Sequence, residues 1–362
     1  MFRRGTVPAP GQPTDYQVQW WTRRGFFGSY AVLYKTHNPG EALSWESGLG
    51  PAAVDTAKLR STDQDRPDGL PLPVLINGAI TISVSKRSEA MPFCWRNAEA
   101  DELYFIDQGR CRFDTEFGRI EACPGDLVFF PRNVVYRTVP LSADTRHLIV
   151  ETKPMMESAE AYHRQHGEAA HGLNMSVIEV PEPWEDTHPS QARYEVRTKV
   201  AGQVLTAVFD FDPVGVTVGW AGDPIVFKLS AWDVPCANLP STPPTAAVFL
   251  TDDKEAMITV HTPLHGPGGG SGGPPAHTND YDEVWFLHSP EHGDDSRVGL
   301  LRWDPQGATQ PGGRPAPKPG APAPAAGTRK LNFNVDVKTR LHFTSEVREF
   351  VVEERAPAVA MA

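Results

Sequence analysis

ELYFIDQGRCRFDTEFGRIEACPGDLVFFPRNVVYRTVP, residues 102–140, decides the fold. It breaks into several short strands, with turn signals at Asp107-Gln108-Gly109, Phe117-Gly118 and Cys123-Pro124-Gly125-Asp126. Turns about every 8–12 residues suit a β-sandwich or barrel. Upstream, PLPVLINGAITISVSKRS (71–88) partly alternates apolar and polar side chains, the period of a strand with one buried face. Downstream, His147 to Thr152 closes this first unit.

The whole chain fits the same reading. Its 362 residues leave room for one large or two medium domains. The 35 prolines and 31 glycines suit many short strands joined by tight turns, and argue against a helical bundle. A net charge of −11 argues against nucleic-acid or anionic-membrane partners, which need concentrated Lys and Arg. No apolar run approaches the length of a transmembrane span, and MFRRGTVPAPGQ lacks the apolar stretch of a signal peptide. Cys94, Cys111, Cys123 and Cys236 are scattered without a CxxC pair, which reads as reduced core thiols in a cytoplasmic protein.

Residues 56–69 read as a polar loop, and 154–175 as the best helical stretch. The latter carries His163, His166 and His171 on what reads as a polar helix face. Strands resume near Ala192 in RYEVRTKVAGQVLTAVFDFDPVGVTVGW, and a second strand-rich unit starts at Ile225. The glycine-rich run 265–276 lacks the GK[ST] ending of a phosphate cradle. Residues 311–327 are Pro/Ala-rich, a loop or linker, and KLNFNVDVKTRLHFTSEVREFVVEE (330–354) returns to alternation.

Two stretches share parts of one spacing. Glu102 is followed by Gly109, Gly125, Pro131 and Tyr136. In the second half His277 precedes Glu283 by six, Gly299 leads by six to Pro305, then come Gly307 and Gln310. This is an internal repeat across half the chain. The pattern resembles the two motifs of the cupin superfamily, and the order of parts resembles the homogentisate 1,2-dioxygenase family. The matching stretches are 96–137, 219–233 and HTNDYDEVWF (277–286).

The resemblance implies an all-β chain of two cupin β-sandwich (jelly-roll) barrels with few short helices. On that frame, residues 1–70 are an arm with strands packing on the cupins. Residues 71–152 are an N-terminal cupin without metal ligands, 153–191 a helical or loop connector, and 192–362 a C-terminal cupin. It also implies Fe(II) in the C-terminal cupin, an aromatic small-molecule substrate, dioxygen as co-substrate, and assembly as a homo-oligomer.

Ring-cleaving non-haem iron enzymes hold Fe(II) with two His and one carboxylate, leaving positions open for substrate and dioxygen. The N-terminal unit has Trp95, Asn97 and Tyr136 where metal-binding cupins place histidines, so Glu102 and Tyr136 are expected to hydrogen-bond internally. In the C-terminal unit His277 and Glu283 match two of the family's iron ligands. Gln310 stands where the third, a histidine, is expected, and Asp304 replaces a second family histidine. Gln310, Asp304, His288 and His292 are candidate substitute ligands. His288 follows Glu283 by five, an odd number, which puts it on the opposite strand face. His261 and His265 are candidates for a catalytic role, and Tyr281, Trp285, Asp304 and Lys228 for substrate binding. Asp280 and Asp282 read as a hydrated loop face. The altered ligand positions leave two other readings open: a metal-free cupin cyclase, isomerase or hydrolyase, or a non-catalytic binder of a small molecule.

Overall fold

The computed structural model describes residues 17–22, 30–37, 52–158, 177–184, 193–234, 246–261, 276–278, 280–288, 297–301 and 331–353. The short apolar runs pair into sheets of three, six, seven and eight strands. Five neighbouring strands of the seven-stranded sheet are Leu72–Ile76, Ile80–Ser85, Arg146–Thr152, Asp101–Gln108 and Asp126–Phe130. Five neighbours of the eight-stranded sheet follow the same order: Ala246–Thr251, Ala256–His261, Leu331–Val337, Asp282–His288 and Arg297–Leu301. The internal repeat read from motif spacing is therefore a repeat of sheet topology. The fold is all-β, with two sandwiches that repeat one strand order.

The two sheets exchange edges. Phe227–Ser230 and His342–Phe343 flank the first sheet, whereas Met156–Ser158, Ala52–Asp55 and Val351–Glu353 flank the second. Each half of the chain thus supplies edge strands to the other. The six-stranded outer sheet is built from Gln203–Phe209, Tyr194–Val200, Cys94–Asn97, Val135–Pro140, Cys111–Thr115 and Gly118–Ala122.

These pairings correct the boundary at residue 192. Tyr194–Val200 runs parallel to Cys94–Asn97, and Phe227–Ser230 is antiparallel to Asp126–Phe130, so 194–209 and 227–230 complete the first sandwich. Tyr194, Val196 and Thr198 supply the buried side of that outer strand. The proposed helix over 154–175 is also corrected at its start: Met156–Ser158 is a strand on the second sheet, and 159–176 lie outside the described residues.

One apolar core lies between the seven- and eight-stranded sheets and another between the seven- and six-stranded sheets. Phe105 and Phe333 stack across the first, 4.9 Å apart and 11° from parallel. Asp107 Oδ1 and His288 Nδ1, 2.8 Å apart, tie the same two sheets together, with Arg146 Nε on the other Asp107 oxygen. Burial disfavours the Asp107 carboxylate, but His288 and Arg146 outweigh that and hold its pKa below the usual range.

Gly125 shows why the turn chemistry matters. Its φ is +95°, and a Cβ there would sit 2.1 Å from Trp232 Nε1. The Cys123–Asp126 turn closes only around a residue without a side chain. Of the cysteines, Cys94 and Cys111 are buried free thiols as expected, Cys123 is exposed, and Cys236 lies outside the described residues. Among the described residues no helix is long and apolar enough to cross a membrane.

Candidate active site

On the eight-stranded sheet Val284, Phe286, Phe333, Val335, Ile258 and Val260 fill the core shared with the first unit. Strand alternation therefore sends Glu283, Trp285, Asn334, Asp336 and Thr259 to the opposite face. All five are buried. Glu283 lies directly opposite Asp336, which lies opposite Met257. The next rung is Trp285, Asn334 and Thr259. Directly opposed residues on neighbouring strands have Cβ atoms about 4.5–5.5 Å apart, so two carboxyl groups share this spot.

The surroundings of those carboxyls are uneven. Asn334 Nδ2 donates to Glu283 Oε1 at 3.1 Å. Neither oxygen of Asp336, nor Thr259 Oγ1, has a hydrogen-bond partner among the described residues. A buried carboxylate without donors or a counter-charge is costly, by several kcal/mol in folded proteins. Burial first, and then the charge of Glu283, hold the Asp336 carboxyl well above the usual carboxylate range. Protonation or a bound cation each relieves that cost.

The first sandwich carries the matching pair in a quenched form. Glu102 lies opposite Glu151, on strands equivalent to those of Glu283 and Asp336. Trp95 Nε1 and Asn97 Nδ2 donate to Glu102 Oε1 at 3.1 and 3.2 Å, and the Tyr136 hydroxyl donates to Oε2 at 2.8 Å. Asn97 Nδ2 also reaches Glu151 Oε2 at 2.9 Å, and the Lys199 ammonium is paired with that oxygen. Burial, and next the charge of Glu151, push Glu102 up to about 7 against those hydrogen bonds. Glu102 and Tyr136 therefore bond internally, as their motif positions predict. Deeper in this interior His147 is fully buried, and neither ring nitrogen has a hydrogen-bond partner. Burial pushes its pKa down to about 4.

The comparisons with known proteins fall on this frame. The family described as "Homogentisate 1,2-dioxygenase N-terminal" matches residues 74–230, the range over which the first sandwich closes. A protein of Saccharolobus solfataricus provisionally named a dioxygenase is 29% identical over 244 residues, covering 63% of this chain and 62% of its own length. Homogentisate 1,2-dioxygenase of Rhodopseudomonas palustris is 40% identical over 55 residues, 15% of this chain and 12% of its own. Over residues 74–230 the chain resembles the N-terminal part of homogentisate 1,2-dioxygenases. Among solved structures, the cupin 2 conserved barrel domain protein of Leptotrichia buccalis is 7% identical, covers 82% of this chain and 100% of its own, and has a TM-score of 0.37. The chain spans less than two thirds of the length of the curated relatives it matches.

Several expected site residues of this chain fall where their chemistry can be read. Glu283, Tyr281 and Trp285 are buried in or beside one strand. Tyr281 donates its hydroxyl to the Lys254 carbonyl at 2.8 Å. His277 lies in Ala276–Thr278, which pairs in parallel with Gln17–Thr22 and sets His277 opposite Trp20. His261 ends Ala256–His261, opposite Asn332. The side chains of His277 and His261 lie outside the described residues, as do His265, His292, Asp304 and Gln310 altogether. Among the described residues no three histidine, cysteine or carboxylate side chains are gathered for a metal.

Two expectations, for Lys228 and Asp282, are corrected, and the face read for His288 holds. Lys228 lies in the first sandwich, on the edge strand beside Asp126–Phe130. Its ammonium is 3.5 Å from Asp126 and 3.0 Å from Glu179, so two carboxylates already take up its charge. His288 faces away from Glu283, as its odd spacing predicts, and its bond to Asp107 excludes it as a substitute ligand there. Asp282 is buried rather than hydrated: the Arg340 guanidinium pairs with it, and the Leu341 N–H donates to it at 3.0 Å. Sequence reasoning missed Thr259, Asn334 and Asp336. The signal was present in LNFNVDV (331–337), where one strand face is apolar and the other reads Asn, Asn, Asp.

Proposed function

We propose that this cupin is a non-haem Fe(II) ring-cleaving dioxygenase acting on an aromatic or quinone-like small molecule, with its site in the second sandwich. One observation carries the reading. The two sandwiches repeat the same carboxylate position, but Glu102 is closed off by three side-chain donors while Glu283 sits beside an unpartnered Asp336.

The residues present fit such a metal. Unpartnered buried carboxylate oxygens are donors for a divalent ion, and carboxylate with imidazole suits iron. Glu283 would hold it, together with His277, as the family resemblance implies. When bound, Fe(II) supplies dioxygen activation, and both oxygen atoms enter the ring being opened, so no external reductant is consumed. The chain's own groups have simpler tasks. Asn334 fixes the orientation of Glu283 through its amide. Trp285, on the same face, offers an apolar aromatic wall. The buried sheet face behind them excludes water.

Gln310 at the place of a family histidine favours a second reading, a metal-free cupin that uses the same buried sheet face for acid–base chemistry or for binding alone. Oxygen uptake separates the two. Fe(II)-reconstituted protein, screened against hydroquinones and catechols, should consume one dioxygen per ring cleaved, and His277→Ala should abolish it. Full turnover without iron supports the metal-free enzyme. Ligand-induced thermal stabilisation without turnover or iron supports a binder.

Assembly as a homo-oligomer is part of the proposal. The end strand Gln203–Phe209 of the outer sheet exposes Val204, Leu205 and Val208, and its outer edge pairs with no other strand among the described residues. A second copy covering that edge would satisfy both.

A further inference from the structure

We propose that Asp336 is a direct ligand of the cation at Glu283, so that the site is a carboxylate pair rather than the single carboxylate implied by the family. The inference rests on the reading that this sandwich holds a divalent metal, and it identifies which residue makes up for the missing histidine at position 310.

The argument comes from the chain's own repeat. In the first sandwich the opposed carboxyls Glu102 and Glu151 are served by a complete set of partners, including a cation, the Lys199 ammonium. In the second, the opposed carboxyls Glu283 and Asp336 keep the same places on the equivalent strands. An amide donor is present in both but from different places: Asn334 on the strand of Asp336 serves Glu283, and Asn97 on the outer sheet serves Glu102. Among the described residues the Lys199 ammonium has no counterpart at Asp336. Among the described residues no lysine or arginine meets Asp336, and both of its oxygens are buried without a hydrogen-bond partner. Two acidic side chains facing each other on a buried sheet face, one of them Asp336 with no hydrogen-bond partner for either oxygen among the described residues, form a place for a small positive ion.

The ligand chemistry follows. Two oxygen donors from neighbouring strands, with Thr259 Oγ1 one rung away and equally unpartnered, suit a hard or borderline divalent ion. An aspartate offers what a glutamine cannot, an anionic oxygen. Replacing a neutral imidazole by a carboxylate also lowers the net charge of the filled site by one. The charge change makes a divalent ion easier to oxidise and a dianionic substrate harder to bind. The preferred substrate class is therefore a neutral or monoanionic phenol or hydroquinone.

The test uses the full chain, purified anaerobically and stripped of metal, with Mn(II) as a probe followed by electron paramagnetic resonance and thermal melting. Wild-type protein should take one Mn(II) per chain and melt higher with it. Asp336→Asn should weaken Mn(II) at least tenfold, about 1.4 kcal/mol. Without metal the variant should melt at or above the wild type, because a buried uncompensated carboxyl has been removed. A merely structural Asp336 gives the reverse, a lower apo melting temperature with unchanged Mn(II) affinity, and overturns the inference. Loss of Mn(II) in Glu283→Gln but not in Asp336→Asn also overturns it while leaving the metal reading standing. No binding of Mn(II), Fe(II) or Zn(II) to wild type overturns both. Should Asp336→Asn fail to fold, anomalous scattering from Mn(II)-soaked wild-type crystals decides. A peak about 2.0–2.2 Å from an Asp336 oxygen supports the inference, and a peak elsewhere refutes it.

Discussion

Glu102→Gln should make the protein more stable at alkaline pH and leave it nearly unchanged in mild acid. Glu102 is fully buried, and burial together with the charge of Glu151 pushes it up to about 7 from an ordinary 4.5. A raised folded-state pKa means that the native state favours the protonated form. Stability from this group is thus complete below about pH 4.5 and is lost as pH rises through 7. At about 1.4 kcal/mol per pH unit of difference, the loss approaches 3 kcal/mol by pH 8. The amide carries no charge and escapes it. Its carbonyl can accept from Trp95 and Asn97, but its NH2 then meets the Tyr136 hydroxyl, which must turn its proton toward Tyr104, 2.8 Å away. That rearrangement costs about 1 kcal/mol, the worth of one hydrogen bond. The net gain at pH 8 is therefore about 2 kcal/mol, with a small loss near pH 5. Urea denaturation of both proteins from pH 5 to 8.5 measures it. A difference that stays flat across that range, or one in which the variant loses ground as pH rises, would refute the electrostatic account of Glu102.

Other changes test other parts of the fold. His147, pushed down to about 4 by burial, is held neutral, so stability is lost as pH falls from 6.5 through 4, by about 3 kcal/mol; His147→Leu should flatten that acid limb in thermal melts at pH 4–7. Gly125→Ala forces a Cβ against Trp232 at a positive φ and should cost at least about 1 kcal/mol, read as a lower denaturation midpoint. Leu205→Asp places a charge on the exposed end strand and should reduce the assembly to smaller species in light scattering, without lowering the melting temperature of the separated chain.

Much of the architecture could be read from residues 71–152, because each turn there carries its own chemistry: Gly109 and Gly125 take positive φ and the strands between them are short. The exchange of edge strands could not. Ala52–Asp55, Met156–Ser158 and His342–Phe343 are two to four residues long, and which sheet such a piece joins depends on tertiary packing that no local period encodes. The odd spacing between Glu283 and His288 placed them on opposite faces, since strand alternation is a local rule. Lys228 was misjudged for the opposite reason: its partners Asp126 and Glu179 are far from it in sequence. Asp336 was overlooked because motif matching looks for histidines at fixed positions. The useful clue was instead a polar strand face that the sandwich would bury.

The most direct test of the central claim is the iron content of protein reconstituted anaerobically with Fe(II), comparing wild type with Glu283→Gln and Glu102→Gln, the same substitution at the two repeated positions. The account predicts about one iron per chain in wild type and in Glu102→Gln, and none in Glu283→Gln. Iron absent from the wild type, or lost from Glu102→Gln and kept by Glu283→Gln, would contradict it.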